Sequence, residues 1–342
     1  MMTSVNRGED RRRQMLMLLA DGKMHSGTVL ANALGVSRTA VSNYAKELAQ
    51  MGVELHAARG NGYRLDSSME LLDQTRIENA LTAAARAQLR SLQVHFVTDS
   101  TNQRLIELPG ELAHGSACAA ELQTAGRGRR GRRWFGVPGQ AIFLSLAWRF
   151  PGAMQSLAGL SLAVGVCVQR ALIRCCGQSG EVRQLKLKWP NDIVYHDQKL
   201  GGVLVEVNGE MQGPCVAVVG VGINLTVPES LQRHLQSDGM AQAVTGLDRI
   251  AASLPSRNVL VAGVLSELLV GMGEFESRGF AVFVEEWKQH DALRDRAVTV
   301  EAAGERVVGV ARGTDETGAL LLDVAGNLRR VHGGEVSVRA RQ

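Results

Sequence analysis

The sequence lacks the cysteine patterns that organise disulfide-rich or zinc-binding domains. Its five cysteines include no C-x-x-C pair and no spacing typical of metal ligands. This excludes a disulfide framework and a structural zinc as sources of stability. The thiols are therefore predicted to be reduced and the protein to be intracellular.

A long hydrophobic run is also missing near the N-terminus. The apolar stretch from Met15 to Ala20 follows a charged segment and is too short for a signal-peptide core or a membrane span. We therefore predict a cytoplasmic protein with no membrane partner. The sequence has no internal repeat, and its net charge of +4 is too small to identify a partner.

The composition is that of a folded protein with more than one domain. Hydrophobic residues make up 45% and charged residues 21% of the 342 positions, as in ordinary globular proteins. The length exceeds what one core usually supports. Periodicity predicts a multi-domain α+β protein. Its predicted parts are a winged helix-turn-helix in residues 1–66, a mixed-sheet α/β domain in 67–293 and a small β-barrel in 294–342.

The N-terminal pattern is that of a helix-turn-helix. Gly22 ends a first helix, and Gly35 suits a turn with positive φ between the second and third helices. Ser37 is a suitable N-cap for the third helix. The motif is predicted from Gly27 to Lys46. The residues predicted to contact DNA are Arg38, Thr39, Ser42, Asn43 and Lys46.

A helical pair with a merely solvated polar face is the alternative. Two features favour DNA binding instead. Residues 53–65, VELHAARGNGYRL, predict two short strands about a turn, like the wing of a winged helix-turn-helix, where Arg59 and Arg64 can meet phosphate. Residues 1–66 also contain nine Lys/Arg against six Asp/Glu.

The segment GRGRRGRRW, from Gly126 to Trp134, holds five arginines interleaved with glycines. The like charges repel one another, so we expect the loop to become ordered when it binds an anion. Arginine binds carboxylate and phosphate oxygens in bidentate fashion, and glycine lets the backbone approach a ligand. An RNA-binding arginine-glycine tract is the alternative. A position between two predicted strands, with Trp134 and Phe135 at its end, favours a substrate loop.

Four further polar motifs are weak individually, because Pro-Asn-Asp is common turn chemistry and a lysine before Gly-Gly is common at strand ends. In them, Asp192 can ligate Mg²⁺, lysines can meet phosphate oxygens, and Ser100 and Thr101 offer hydroxyls to a polar head group. The motifs are DSTNQ at 99–103, KWPND at 188–192, KLGGVL at 199–204 and VGVGINL at 219–225.

Taken in order, DSTN, Gln123 with GRGRRGRRW, KWPND, KLGGVL and VGINL resemble the motifs of biotin protein ligases. With the N-terminal domain, the chain is similar to the bifunctional members, which are also biotin-operon repressors. The resemblance covers nearly the whole length. It implies a class II synthetase-like ligase domain, an SH3-like barrel, and ATP, biotin and Mg²⁺ as substrates and cofactors. Biotin and ATP would form biotinyl-5'-AMP, which a lysine of the biotin carboxyl carrier protein of acetyl-CoA carboxylase would then attack.

The resemblance also implies residue roles. Catalysis would rest on Arg129, Lys199, Asp192 and Lys188, with Asp192 serving Mg²⁺ or the incoming lysine. Biotin would be bound by Ser100, Thr101, Asn102, Gln123, Arg127, Gly128, Arg129 and Lys199. ATP or the adenylate would be bound by Arg127, Arg129, Arg130, Arg132, Trp134, Lys188, Asn191 and Asn224.

A regulatory role follows from the same resemblance. The adenylate would act as corepressor and favour a homodimer on operator DNA, in competition with the carrier protein. The operator sequence does not transfer, and residues 226–257 carry no motif. The remaining alternatives are a lipoate- or octanoate-transferring enzyme, a transcription regulator that only senses biotin, and a ligase without DNA binding. The arginine-glycine loop together with a winged N-terminal domain disfavours the first, and Lys199, Asp192 and Arg129 disfavour the second.

Overall fold

The structure is a computed structural model that describes residues 4–58, 60–177, 180–209, 213–237, 243–302, 305–333 and 336–340. Three regions follow one another along the chain: a small helical region with a hairpin, a large region built on a seven-stranded sheet, and a C-terminal five-stranded sheet. The predicted multi-domain α+β architecture is confirmed.

The N-terminal region is a winged helix-turn-helix, as predicted. The sequence predicts the first helix from Arg11 onward, but the helix begins at Ser4, because the polar segment before Arg11 contains no proline that would end it. Leu30, Leu34 and Val41 are fully or almost fully buried between the helices. The elements are α1 (Ser4–Leu19), α2 (Gly27–Leu34), α3 (Arg38–Gln50), β1 (Leu55–Ala58) and β2 (Gly62–Leu65).

Local signals in the sequence set the turn and the wing. Gly35 ends α2 with φ 62°, and the Ser37 hydroxyl accepts a hydrogen bond from the backbone N–H of Ala40 at the start of α3. A Cβ at Gly62, where φ is +119°, would lie 1.9 Å from the carbonyl oxygen of His25. Glycine is therefore required where the wing closes against the residues before α2.

The third helix presents a polar face. Arg38, Thr39, Asn43 and Lys46 are exposed and Ser42 is half-buried, whereas Val41, Ala45 and Leu48 on the opposite face are buried. In the wing, Arg64 is exposed, and Arg59 lies outside the described residues. The face predicted to contact DNA is therefore accessible.

The central region contains a mixed sheet with the order β3-β4-β5-β9-β8-β7-β6. Only β3 and β4 are parallel, and the remaining neighbours are antiparallel. Apolar runs in the sequence predict six strands in this region, at 94–97, 117–122, 141–148, 185–189, 203–207 and 215–221, and all six are found. The structure adds β7, which was not predicted. The strands are β3 (Ser91–Thr98), β4 (Ser116–Gln123), β5 (Ala141–Phe150), β6 (Lys186–Lys188), β7 (Asp192–Tyr195), β8 (Gln198–Gly209) and β9 (Cys215–Asn224).

Two long apolar helices form the core of this region with the sheet. The stretch Met154–Cys175 and the helix Arg257–Arg278 are long and apolar enough to cross a membrane, but 61% and 72% of their apolar windows are buried inside the protein. They are core helices. The helices are α4 (Gln74–Ala80), α5 (Ala83–Gln88), α6 (Thr101–Ile106), α7 (Gly110–Ala113), α8 (Leu160–Cys175), α9 (Glu229–Ser237), α10 (Arg257–Arg278) and α11 (Val284–His290).

The C-terminal region is an antiparallel sheet with the order β13-β12-β11-β10-β14. A register shift between Ala311 and Thr314 interrupts the pairing of β11 with β12. Such irregularities bend strands, as a small barrel-like sheet requires. The region contacts the central one through Trp189, whose Nε1 donates to the carbonyl of Gly318 at 3.0 Å. The strands are β10 (Ala297–Ala302), β11 (Glu305–Thr314), β12 (Leu320–Val324), β13 (Asn327–Val331) and β14 (Val336–Ala340).

A buried ionic network ties the segment that follows the wing to the central sheet and α10. Arg257 donates from Nη1 to Glu121 Oε2 at 2.8 Å and to the carbonyl of Glu70 at 2.9 Å. The same Glu121 carboxylate accepts from the backbone N–H groups of Leu72 and Gly139. Glu121 thereby connects the segment after the wing to the loop that precedes β5.

Candidate active site

The predicted site residues of the central region line one cavity of about 970 Å³. The cavity lies where β3, β4 and β9 end and β5 begins, because antiparallel pairing brings the start of one strand to the end of its neighbour. The predicted residues brought together there are Ser100, Thr101, Asn102, Gln123, Arg127, Gly128, Arg129, Arg130, Arg132, Trp134, Lys188, Asn191, Asp192, Lys199 and Asn224.

One end of the cavity is a buried cluster of uncharged polar groups. The Gln123 Oε1 atom accepts hydrogen bonds from the backbone N–H and the hydroxyl of Thr101, at 2.8 and 3.1 Å. The hydroxyl of Ser145, on β5, lies 2.7 Å from Thr101 Oγ1 and 2.6 Å from Asn102 Oδ1. Ser100, Thr101 and Asn102 are each no more than 4% exposed. The cluster is suited to an uncharged, hydrogen-bonding head group.

Glu206, on β8, joins this cluster to the arginine-glycine loop. Its Oε2 atom accepts from Asn102 Nδ2 at 2.7 Å and from Arg127 Nη2 at 3.1 Å. Neither Glu206 nor Ser145 was predicted from the sequence. Both lie inside strands, and no local motif marks them, so only strand pairing brings them to the residues that line the cavity.

The arginine-glycine loop is a closed hairpin between β4 and β5. Gly128 donates from its N–H to the carbonyl of Arg132 at 2.7 Å, and Trp134 donates to the carbonyl of Gly126 at 2.9 Å. Arg130 adopts φ 58°, an uncommon backbone angle for a residue other than glycine. Arg130 and Arg132 are exposed at the mouth of the cavity, where an anionic ligand can reach them.

Trp134 forms another part of the cavity wall. Its indole lies against the backbone of Gly222, where a Cβ would be 2.4 Å from the ring. The ammonium of Lys199 lies 5.2 Å from the ring centroid. Among the described residues, the buried Nε1 of Trp134 has no hydrogen-bond partner. A flat ring with a free donor is suited to contact with a planar, polar ligand such as a purine.

The charged residues of the cavity pair with one another and with a polar side chain. Lys199 Nζ is 2.6 Å from Asp192 Oδ1, and Arg129 Nη1 donates to Asn191 Oδ1 at 3.2 Å. Burial lowers the pKa of Arg129, and the nearby Asp192 carboxylate opposes that shift. Burial likewise lowers the pKa of Lys188, again against the effect of Asp192. Partly dehydrated cations of this kind are suited to neutralising phosphate or carboxylate oxygens.

The cavity offers few ligands for a metal. Within the described ranges, no three His, Cys, Asp or Glu side chains form a group that could hold an ion. Asp192 is the predicted ligand, and its Oδ1 is already paired with Lys199. Mg²⁺ commonly binds through one or two carboxylates together with substrate phosphates. The residues therefore fit a magnesium ion that arrives with a phosphate ligand rather than one held by the protein alone.

The segment 226–257, which carries no motif, contributes Leu231, Leu235, Ala243 and Val244 to the lining of the cavity. The backbone N–H of Lys199 donates to the carbonyl of Ala243 at 2.8 Å, and Asn224 Nδ2 donates to the carbonyl of Thr245 at 3.3 Å. Leu231 and Leu235 of α9 pack with Val137. The C-terminal region adds Arg296, Val338 and Ala340 to the lining. Their positions depend on distant contacts, so no local pattern predicts them.

Fold and cavity together define a class of protein: a winged helix-turn-helix joined to a mixed-sheet domain with an arginine-glycine loop at a cavity lined by arginine and lysine side chains. Residues 94–224 match the Biotin/lipoate A/B protein ligase family, residues 11–64 match an HTH domain, and residues 295–339 match the Biotin protein ligase C terminal domain. This chain belongs to the family of bifunctional ligase/repressor proteins within the biotin protein ligases.

Individual relatives agree over nearly the full length. The bifunctional ligase/repressor BirA of Salmonella typhimurium is 37% identical, over 96% of this chain and 97% of its own length. The BirA protein of Escherichia coli is 35% identical over the same shares. The biotin protein ligase of Aquifex aeolicus, solved in complex with biotin and ATP, is 25% identical with a TM-score of 0.61, over 74% of this chain and 100% of its own.

Proposed function

We propose that this protein joins biotin and ATP into biotinyl-5'-AMP and transfers the biotinyl group to a lysine of the biotin carboxyl carrier protein of acetyl-CoA carboxylase. With the adenylate bound, it acts as a repressor on operator DNA. The observation that carries the proposal is the cavity itself, in which a buried polar cluster, an arginine-glycine loop and the Lys188, Asp192 and Lys199 group face one another. We assign DNA binding to residues 1–66, ligation to 67–293 and a supporting barrel to 294–342.

In the first step, a carboxylate oxygen of biotin attacks the α-phosphorus of ATP. The new P–O bond forms as the bond to pyrophosphate breaks. Ser100, Thr101, Asn102 and Gln123 hold the head group of biotin, so that its carboxylate extends toward the charged part of the cavity. Trp134 stacks on adenine, while Asn191 and Asn224 contact the nucleotide.

The reacting centre brings two anions together, and the cations must offset their repulsion. Arg129 and Lys199 lie on either side of Asp192 and Asn191, where they can contact carboxylate and phosphate oxygens. Lys188 supports the phosphates, and Arg127, Gly128, Arg130 and Arg132 close over them. Asp192 would hold Mg²⁺, which neutralises phosphate charge when it is bound.

In the second step, the acceptor lysine attacks the acyl carbon of the adenylate and AMP leaves. The attacking amine must lose a proton, and we assign Asp192, a cavity carboxylate beside Lys199, as its acceptor. In the empty cavity Lys199 lies 2.6 Å from Asp192. When Lys199 binds the phosphate instead, the Asp192 carboxylate becomes free to accept that proton.

DNA recognition rests on α3 and the wing. Arg38, Thr39, Ser42, Asn43 and Lys46 would contact base edges and phosphates in the major groove, and Arg64 would contact the backbone. Two half-sites require two copies of the chain. The edge of β8 supports this homodimer. β7 pairs with β8 only from Gln198 to Gly202, so residues 204–208 of β8 have a described neighbour strand on one side alone. An edge of this kind can pair with a second chain.

The test is to incubate the purified protein with ATP, Mg²⁺, a biotin carboxyl carrier domain and biotin, with lipoate as the control acid. We expect a biotin-dependent mass gain on one acceptor lysine and release of pyrophosphate. Turnover with lipoate but not biotin would reject the assigned substrate. Pyrophosphate release without transfer would reject the assigned acceptor. Cell fractionation would test the cytoplasmic location that we also propose.

A further inference from the structure

We propose that Glu206 is a positioning residue for biotin, one that couples the head-group cluster to the arginine-glycine loop. The inference rests on the proposed function and adds to it a residue that does not itself contact the reacting atoms. One carboxylate oxygen, Oε2, accepts from both Asn102 Nδ2 and Arg127 Nη2. The first belongs to the head-group cluster and the second to the loop.

Glu206 determines how the Asn102 amide is oriented. The Oδ1 end of the amide lies against the Ser145 hydroxyl at 2.6 Å, and the Nδ2 end lies against Glu206 at 2.7 Å. Rotating the amide by 180° would place Oδ1 against the carboxylate, which has no hydrogen to donate. Glu206 therefore fixes which amide atoms remain for a ligand.

The strand β9 also restrains the Asn102 side chain. A Cβ at Gly220 would lie 2.3 Å from Asn102 Oδ1, so the amide rests directly on the backbone of β9. Ser145, Glu206 and the backbone at Gly220 all contact the amide, and Asn102 also lines the cavity. Such preorganisation favours ligand binding, since little side-chain freedom is lost on association.

The second contact of Glu206 anchors the loop at its first arginine. Arg127 pairs with Arg133 across the base of the hairpin, so holding Arg127 holds the start of the loop beside the polar cluster. The Arg127 and Glu206 side chains are 40% and 29% exposed. Water screens a pair of this kind, and it contributes little to the stability of the empty protein. Its role is therefore better sought in ligand binding.

The test compares Glu206→Ala, Glu206→Gln and a matched control, Glu285→Ala, in the full-length protein. Glu285 is a carboxylate on α11 with 81% side-chain exposure that pairs with Lys288, and it lies outside the cavity lining. The measurements are the Kd for biotin by calorimetry, the KM values for biotin and ATP with kcat, the unfolding temperature, and the rate of tryptic cleavage in the loop with and without biotin.

For Glu206→Ala we expect the Kd and KM for biotin to rise about tenfold, a change equivalent to about 1.4 kcal/mol. The KM for biotin should rise more than the KM for ATP, since Glu206 holds Asn102, which contacts biotin, as well as Arg127, which also closes over the phosphates. The kcat at saturating biotin should stay within about twofold. The unfolding temperature should shift by no more than about 2 °C. Biotin should protect the loop from trypsin less well. Glu206→Gln retains an acceptor for Asn102 and should recover part of the affinity, and Glu285→Ala should match the unsubstituted protein.

Two results would overturn the role of Glu206. One is an unchanged biotin Kd with normal loop protection in Glu206→Ala. The other is a parallel loss of biotin affinity, ATP affinity and unfolding temperature, which would indicate a general structural role. Absence of biotin binding by the unsubstituted protein would instead overturn the proposed function, and the role of Glu206 with it.

Discussion

Replacement of Glu121 by glutamine tests how strongly the buried network stabilises the central region. The Glu121 and Arg257 side chains are 2% and 4% exposed. The Glu121 carboxylate accepts from three donors: Leu72 N–H, Gly139 N–H and Arg257 Nη1. The variant keeps the shape of the side chain and removes its charge.

The size of the effect follows from the donors. A glutamine has one acceptor oxygen and one donor NH₂ group, so in either orientation at least one of the three donors meets another donor. Each buried donor without an acceptor costs about 1–3 kcal/mol, and leaving a buried charge without its partner costs about 3–5 kcal/mol. Arg257 retains the carbonyls of Glu70 and Ala141 as acceptors. We therefore expect Glu121→Gln to lower the free energy of unfolding by about 3 kcal/mol.

Urea unfolding followed by tryptophan fluorescence measures this loss. The four tryptophans are Trp134, Trp148, Trp189 and Trp287, and all report on the region that contains the network. The control is Glu285→Gln, whose exposed pair with Lys288 should change the free energy by less than about 0.5 kcal/mol. The double variant Glu121→Leu with Arg257→Met removes both charges and should lose less than the sum of the single variants. A loss below about 1 kcal/mol for Glu121→Gln, with an unchanged urea slope, would refute the reasoning.

Three further predictions address activity, DNA binding and pH. Arg129→Ala should release the adenylate and biotinylate bystander lysines, because the cation that retains the adenylate is lost. Unchanged adenylate retention, measured by filtration, would show that Arg129 does not have this role. Deletion of residues 1–66 should abolish operator binding and leave measurable ligation. The comparison is Lys46→Ala, which keeps the whole domain and removes one predicted DNA contact. Undiminished operator affinity of the deletion variant in gel shifts would contradict the domain assignment. Burial alone would raise the pKa of Glu70, but hydrogen bonds from Asn258, Ser256 and the Arg257 N–H lower it below 4.5. Its stabilising contribution should therefore be present above pH 4.5 and lost as pH falls through the lowered value. In acid titrations followed by fluorescence, Glu70→Gln should lack that loss, and an identical profile for both proteins would argue against it.

The winged helix-turn-helix was readable from the sequence because its signals are local. Gly35 marks the turn, Ser37 marks the start of α3, and the apolar spacing of α3 separates its buried face from its polar one. The strands of the central sheet were also readable, with the exception of β7. That strand is four residues long and follows a Trp-Pro-Asn turn, so its periodicity is too short to identify.

The sequence alone determined which residue types are available: the arginine-glycine loop, the lysines and carboxylate of the central motifs, and the order in which they occur. Only the tertiary structure decided which of them meet. The Asp192 and Lys199 pair depends on the register of β7 against β8, and the contacts of Glu206 depend on a residue more than a hundred positions away along the chain. The Glu121 and Arg257 pair joins β4 to α10 in the same way. Such contacts follow from strand register and helix packing over the whole domain, which no local pattern in the chain specifies.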